Sequence, residues 1–173
     1  MSSSSEYQQS NVGEIVSRSA EQTIRIGLRL GELLRIGDVV LLYGDFGAGK
    51  THFTKGIAQG LGSIDMVNSP SFVLINQYRA GPAHRYAPIY HIDLYRIEDA
   101  AAVAGIGLED ALDGHGVCVI EWPERAADWL PSDYLAVYLR YRGEHERVIH
   151  FEPHGSRAQT LLDQLVARFQ VEH

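Results

Sequence analysis

Apolar positions along the chain change their period, and the changes mark out elements. Ser19-Ala20-Glu21-Gln22 has the form of a capping box, with a hydroxyl and an amide able to satisfy the opening N–H groups of a helix. Ile24, Leu28, Leu30, Leu33 and Leu34 follow at broadly helical spacing until Gly37 breaks the pattern. Val39 to Tyr43 is a continuous apolar run and predicts a strand buried on both faces. A glycine-rich loop comes next, then a predicted helix over residues 50–61, stopped by Gly60 and Gly62. Residues 72–78 read as extended, Gly81-Pro82 as a turn, and residues 89–95 and 117–120 as two further strands. Residues 135–141 and 147–151 alternate evenly on either side of Gly143, the pattern of an antiparallel hairpin, and residues 156–169 close the chain as a helix. Buried strands interleaved with helices predict an α/β fold: a three-layer domain whose mostly parallel central sheet is extended by the C-terminal antiparallel hairpin.

Composition narrows this picture in three places. At 173 residues the chain suits one domain, assigned to residues 14–173, behind a polar, flexible tail over residues 1–13. That tail has no basic flank or apolar centre, so it does not read as a signal peptide, and no apolar run is long enough for a membrane helix. Cys118 is the single cysteine, which rules out an internal disulfide and fits a cytoplasmic setting. The formal net charge of −7 argues against direct grip on a nucleic-acid backbone, which needs clustered Lys and Arg. If RNA is involved, a partner is expected to hold it.

The candidate chemistry starts at the loop. Gly44-Asp45-Phe46-Gly47-Ala48-Gly49-Lys50-Thr51 satisfies G-x-x-x-x-G-K-[ST] between a predicted strand and a predicted helix, the setting that this phosphate-binding motif requires. Glycines let backbone N–H groups turn inward around phosphates, Lys50 reaches the β and γ phosphates, and the Thr51 hydroxyl ligates Mg2+. A P-loop also needs an acidic residue at a strand end for the metal or its water, and Glu121 ends the apolar run that starts at Val117. Asp93, in an otherwise apolar strand, needs a partner or a metal, and the residues alone leave structural pairing and catalysis both open. Trp122 fits either stacking near a nucleotide or core packing, and Arg96 either a phosphate contact or a surface ion pair. Cys118 reads as packing. The histidines are scattered, and no structural zinc site is expected.

Four segments taken together, GDFGAGKTHFTKGIAQGLG, SPSF, HIDLYR and VIEWPER in that order, resemble the TsaE family, formerly YjeE. These are bacterial ATPases of tRNA threonylcarbamoyladenosine synthesis. The resemblance runs from about Glu14 to Arg125 and weakens in the hairpin. It implies a P-loop NTPase-like domain that binds ATP and Mg2+ through loop residues 44–51 and His52, with Thr51 and Glu121 at the metal and Trp122 beside the nucleotide. Lys50, Asp93 and Glu121 become the candidate catalytic residues. Ser69 and Ser71 match a switch-like segment, usually S-P-T-[FY], in which Ser71 replaces threonine and keeps the hydroxyl. His52 stands where the family often has a second threonine. The resemblance also implies partners: the TsaD and TsaB transferase subunits, reset by ATP hydrolysis, with tRNA reached only through that complex. A small-molecule kinase and a nucleotide-dependent binding module are the rival readings. A regulatory GTPase lacks its N-K-x-D segment here.

Overall fold

The computed structural model describes residues 13–70 and 74–171. The sequence expectations for the tail over residues 1–12, and for Ser71 and Phe72, lie outside the described residues.

Among the described residues, strands β1 (Glu14–Ser17), β2 (Val39–Tyr43), β3 (Ile75–Arg79), β4 (Pro88–Asp93), β5 (Val117–Glu121), β6 (Tyr134–Tyr141) and β7 (Arg147–His154) form one sheet in the order β1-β7-β6-β2-β5-β4-β3. The four central strands, β6, β2, β5 and β4, are parallel. The hairpin β6–β7 extends them as expected, β1 pairs antiparallel outside it, and β3 pairs antiparallel with β4 at the far edge. The expected strand over residues 89–95 stops at Asp93, where the chain leaves the sheet and Asp93 accepts a turn bond from the Tyr95 N–H. β7 runs on to His154, past the expected end.

Period-two alternation divides the strands between two cores. Val40, Leu42, Val117, Val119, Leu135 and Val137 face α1 (Ala20–Leu33), α2 (Lys50–Gly60) and α5 (Ser156–Val171). Val39, Leu41, Cys118, Ile120 and Ile92 face short helices α3 (Ala100–Val103) and α4 (Leu108–Ala111) and a 3-10 segment, Pro123–Trp129. The sequence pattern does not reveal α3 and α4, because four residues are too few to show a helical period.

Helix α1 starts as the capping pattern predicts, with one difference. Ser19 Oγ accepts the Gln22 N–H at 3.1 Å, while the Gln22 amide oxygen takes the N–H of Arg18, not of Ser19. Its packed face is also rotated from the apolar stripe. Ile26, Gly27, Leu30 and Gly31 are buried, whereas Ile24, Leu28 and Leu33 are half-buried. The reason is a seam with α2. A Cβ on Gly27 or Gly31 would stand 2.3 Å from the carbonyl oxygens of Phe53 or Ile57. One on Gly56 or Gly60 would stand 2.0 or 2.2 Å from those of Ile24 or Leu28. The two helices therefore meet backbone to backbone through matched G-x-x-x-G pairs. Gly60 belongs to this seam and lies within the helix; the stop is Gly62, in the left-handed region at φ +83°.

Candidate functional site

The seam fixes the start of α2, and with it the loop. Gly49 precedes the helix at φ +102° with no side chain capping the first turn, so the opening N–H groups and the positive end of the helix dipole point into the loop. The hairpin braces the loop from outside: Tyr141 donates its hydroxyl to the Phe46 carbonyl at 2.8 Å, and Arg147 donates to the Gly47 carbonyl at 3.3 Å while its guanidinium stacks 4.2 Å over the Tyr141 ring. Gly47 lacks a Cβ where one would stand 2.5 Å from the Tyr141 hydroxyl. Nothing in the sequence pattern signals this brace, since it joins residues about a hundred positions apart.

Lys50 is buried, a costly place for an ammonium unless it is held on several sides. Its Nζ donates to the Gly44 carbonyl at 2.6 Å, lies 4.0 Å from a Glu121 carboxylate oxygen, and sits 4.3 Å over the Trp122 ring. Glu121 reaches it because it shares the α2 face with Val117 and Val119. Trp122 reaches it through a left-handed backbone at φ +55°, an uncommon conformation for a bulky residue that turns the chain sharply out of β5. Phe46, Tyr95 and Trp122 then form an aromatic wall, with ring centroids 4.6 Å apart for Phe46–Tyr95 and 5.1 Å for Tyr95–Trp122.

Asp93 lies beside Glu121 in parallel register, at the end of the neighbouring strand. Burial pushes its carboxyl above the usual carboxylate range, the nearby Glu121 charge adds to this, and the Tyr95 N–H bond opposes it. On the other side, Thr51 and Ser69 share a hydrogen bond of 2.8 Å between hydroxyls. Lys50, Thr51, Ser69, Asp93, Glu121 and Trp122 thus line one cavity of about 340 Å3, together with Phe46, Gly47, Pro70, Leu74, Tyr95 and Arg96. Ligand cavities in open α/β sheets occur at this carboxyl end of the strands.

Not every candidate faces that cavity. His52 is exposed and lines a second one, of about 320 Å3, across the loop with Gly47, Gly49, Arg18 and Arg147. Asp45 is exposed and Ala48 is buried in the core; what they bring to the loop is backbone, including the Ala48 N–H bond to the Asp45 carbonyl at 3.1 Å. Ser71 lies outside the described residues. Tyr95 and Arg96 complete the lining, and His91 lies behind Glu121, outside it. The sequence signal for Tyr95 and His91 is their position two residues either side of Asp93, which keeps His91 on the same strand face. His150 and His154 have the spacing at which a helix joins two metal ligands, but they stand on β7 and turn to Glu14 and Glu152 respectively. Among the described residues no cluster of three or more His, Cys, Asp or Glu could hold a metal unaided, and no helix is long and apolar enough to cross a membrane.

Comparison with known proteins places this geometry in context. A family model described as "Threonylcarbamoyl adenosine biosynthesis protein TsaE" matches residues 17–149. A protein of Bacillus subtilis named "tRNA threonylcarbamoyladenosine biosynthesis protein TsaE" is 40% identical over 145 residues, covering 84% of this chain and 88% of that protein. One of the same name from Treponema pallidum is 42% identical over 134 residues, covering 78% of this chain and 96% of that protein. The crystal structure of Bacillus subtilis YdiB superposes with a TM-score of 0.76 at 34% identity, covering 90% of this chain and 94% of the other.

Proposed function

We propose, since this chain belongs to the TsaE family, that within tRNA threonylcarbamoyladenosine biosynthesis it acts as an ATPase that resets the TsaD–TsaB transferase. The observation that carries the ATPase reading is the convergence of Lys50, Thr51, Asp93 and Glu121 on one cavity at the uncapped start of α2.

The residues present fit a magnesium nucleotide. An uncapped helix start and inward-facing loop amides favour phosphate, and buried Lys50 supplies a fixed positive charge for it. The Thr51 and Ser69 hydroxyls and the Glu121 carboxylate are hard oxygen donors of the kind Mg2+ takes. Magnesium, held by Thr51 and Glu121, would neutralise charge on the phosphates during transfer. The remaining work falls to the chain. Lys50 takes up charge on the β and γ phosphates. Asp93, whose burial raises its proton affinity, orients the attacking water and accepts its proton. Trp122 and Phe46 exclude solvent. The nucleoside end would extend past Gly47, which lines both this cavity and that of His52.

Division of labour with the transferase is supported by charge. At −7 net, the chain repels tRNA at ordinary salt, so tRNA is contacted through the TsaD–TsaB complex. The segment at Ser69 couples nucleotide state to assembly through a contact with the γ-phosphate.

The test is ATP turnover with and without TsaD and TsaB. Lys50→Ala is expected to lose about a hundredfold or more, the scale of removing a preorganised electrostatic contact. Asp93→Asn and Glu121→Gln are expected to lose hydrolysis while staying folded and binding ATP. Co-purification with TsaD–TsaB should depend on an ATP analogue; equal recovery with the analogue, ADP and no nucleotide would remove the switch. Wild-type turnover in a contaminant-free preparation of Lys50→Ala would remove the catalytic assignment of Lys50.

A further inference from the structure

Behind Glu121 lies a buried polar chain that the proposed hydrolysis does not use. His91 is fully buried, and its Nε2–H donates to the Glu121 carboxylate at 2.7 Å. Its other nitrogen, Nδ1, is 3.1 Å from the hydroxyl oxygen of Tyr78 on the neighbouring strand. That hydroxyl accepts the Asn68 N–H at 3.2 Å and donates to the Asn68 carbonyl at 2.9 Å. Asn68 directly precedes Ser69, whose hydroxyl bonds Thr51. The Asn76 amide also donates to the Asn68 carbonyl, at 2.9 Å, from β3. The segment before Ser71 is therefore tied to the cavity twice: from the front by Thr51, and from beneath by Tyr78 and His91.

We propose that His91, acting through Tyr78, is a positioning residue that couples the Glu121 carboxylate to the backbone at Asn68 and Ser69. The inference rests on the nucleotide-binding reading of the cavity. A hydrophobic core pays for buried polar groups only when all are satisfied, and here each is satisfied by the next. The Tyr78 hydroxyl has one proton and two acceptors in reach, the Asn68 carbonyl and His91 Nδ1. Holding His91 against Glu121 keeps Nδ1 in competition for that proton. Drawing Glu121 toward a metal or water slackens His91 and returns the proton wholly to Asn68. The chain thereby converts the state of Glu121 into the tightness of the segment, without either end touching the other.

The experiment reads amide hydrogen exchange at Asn68 and Ser69 in the full chain, bound to a non-hydrolysable ATP analogue or to ADP. Nucleotide affinity is followed separately by Trp122 fluorescence. In the wild type the two states are expected to differ by about fivefold or more in exchange, the lower end of ordinary coupling between sites. His91→Gln and Tyr78→Phe should bind both nucleotides within about twofold of wild type, yet lose that difference. The difference is the readout, so the faster absolute exchange caused by losing the Tyr78 hydroxyl does not mimic the result. Tyr78→Phe keeps the ring and its packing and carries the test if His91→Gln fails to fold. Nucleotide-independent exchange in the wild type, or a wild-type difference retained by both variants, overturns the coupling. A wild type whose fluorescence shows no nucleotide binding instead removes the reading on which the coupling rests.

Discussion

The two faces of the sheet are built differently. On one, α1, α2 and α5 are 14, 11 and 16 residues long, and the first two are locked at the closest approach their backbones permit. On the other, four-residue helices and a kinked 3-10 segment cover the strands, with half-buried Tyr43, Leu112, Trp129 and Tyr134 around the core. Lys50 and Thr51 issue from the first face. The edge between the faces carries Asp93 and Trp122, where β4 and β5 turn out of the sheet. A phosphate loop has to be preorganised, because displaced amides lose the geometry that gives them their effect. Residues that respond to the nucleotide need short, separately anchored segments instead. The glycine seam serves the first need, for the loop at the start of α2.

The seam is the sharpest place to break the contrast. Gly56→Val would drive a branched side chain into the Ile24 carbonyl, where even a Cβ stands at 2.0 Å. A loss of about 4 kcal/mol or more is expected, enough to leave the variant largely unfolded by circular dichroism. On the opposite face, Leu108→Ala leaves a cavity beneath α4. It should cost about 2–4 kcal/mol in urea denaturation. Because α4 contributes no residue to the Lys50 cavity, Leu108→Ala should keep the ATP affinity proposed for it at temperatures where it is folded. Loss of affinity in the folded variant would mean the two faces are not separable.

A smaller effect has the opposite sign. The Asp93 carboxyl binds its proton more tightly in the folded protein than in the unfolded chain. The stability its proton contributes is therefore fully present below the unfolded carboxylate range and is lost as pH rises through the raised folded value, leaving at neutral pH an ionised carboxylate that burial disfavours. Asp93→Asn should then stabilise the nucleotide-free protein at pH 7 by a few tenths of a kcal/mol, the size left after screening at a half-exposed group. The gain should vanish in thermal melts at acid pH. A variant that is less stable at pH 7 would assign Asp93 to holding the fold. Least of all should change at Cys118, whose thiol burial pushes up to about 12. Native protein should leave it unmodified by a thiol reagent at pH 8 until unfolding exposes it.

Much of this was legible in the chain itself. A contiguous motif carries its own geometry, so Gly44 to Thr51 between a buried strand and a helix announced the loop. Glu121 and Asp93 were visible as acids ending or interrupting apolar runs. The even alternation around Gly143 gave the hairpin. The G-x-x-x-G pairs at Gly27–Gly31 and Gly56–Gly60 were present as spacing, but glycines at that interval are equally compatible with exposed helix positions.

What the sequence determined by itself, then, is whatever depends on near neighbours: the loop, its flanking strand and helix, the hairpin and the identity of the acids. Tertiary structure alone decided which distant groups meet. It placed Tyr141 and Arg147 behind the loop, put His52 on a cavity apart from Lys50, rotated the buried face of α1, and joined Asn68 to Glu121 through Tyr78 and His91. The physical reason is that local periodicity records which face of an element is buried, whereas hydrogen bonds between side chains far apart in the chain depend on strand order and register. Those follow from the packing of the whole sheet, and no stretch of the sequence encodes them alone.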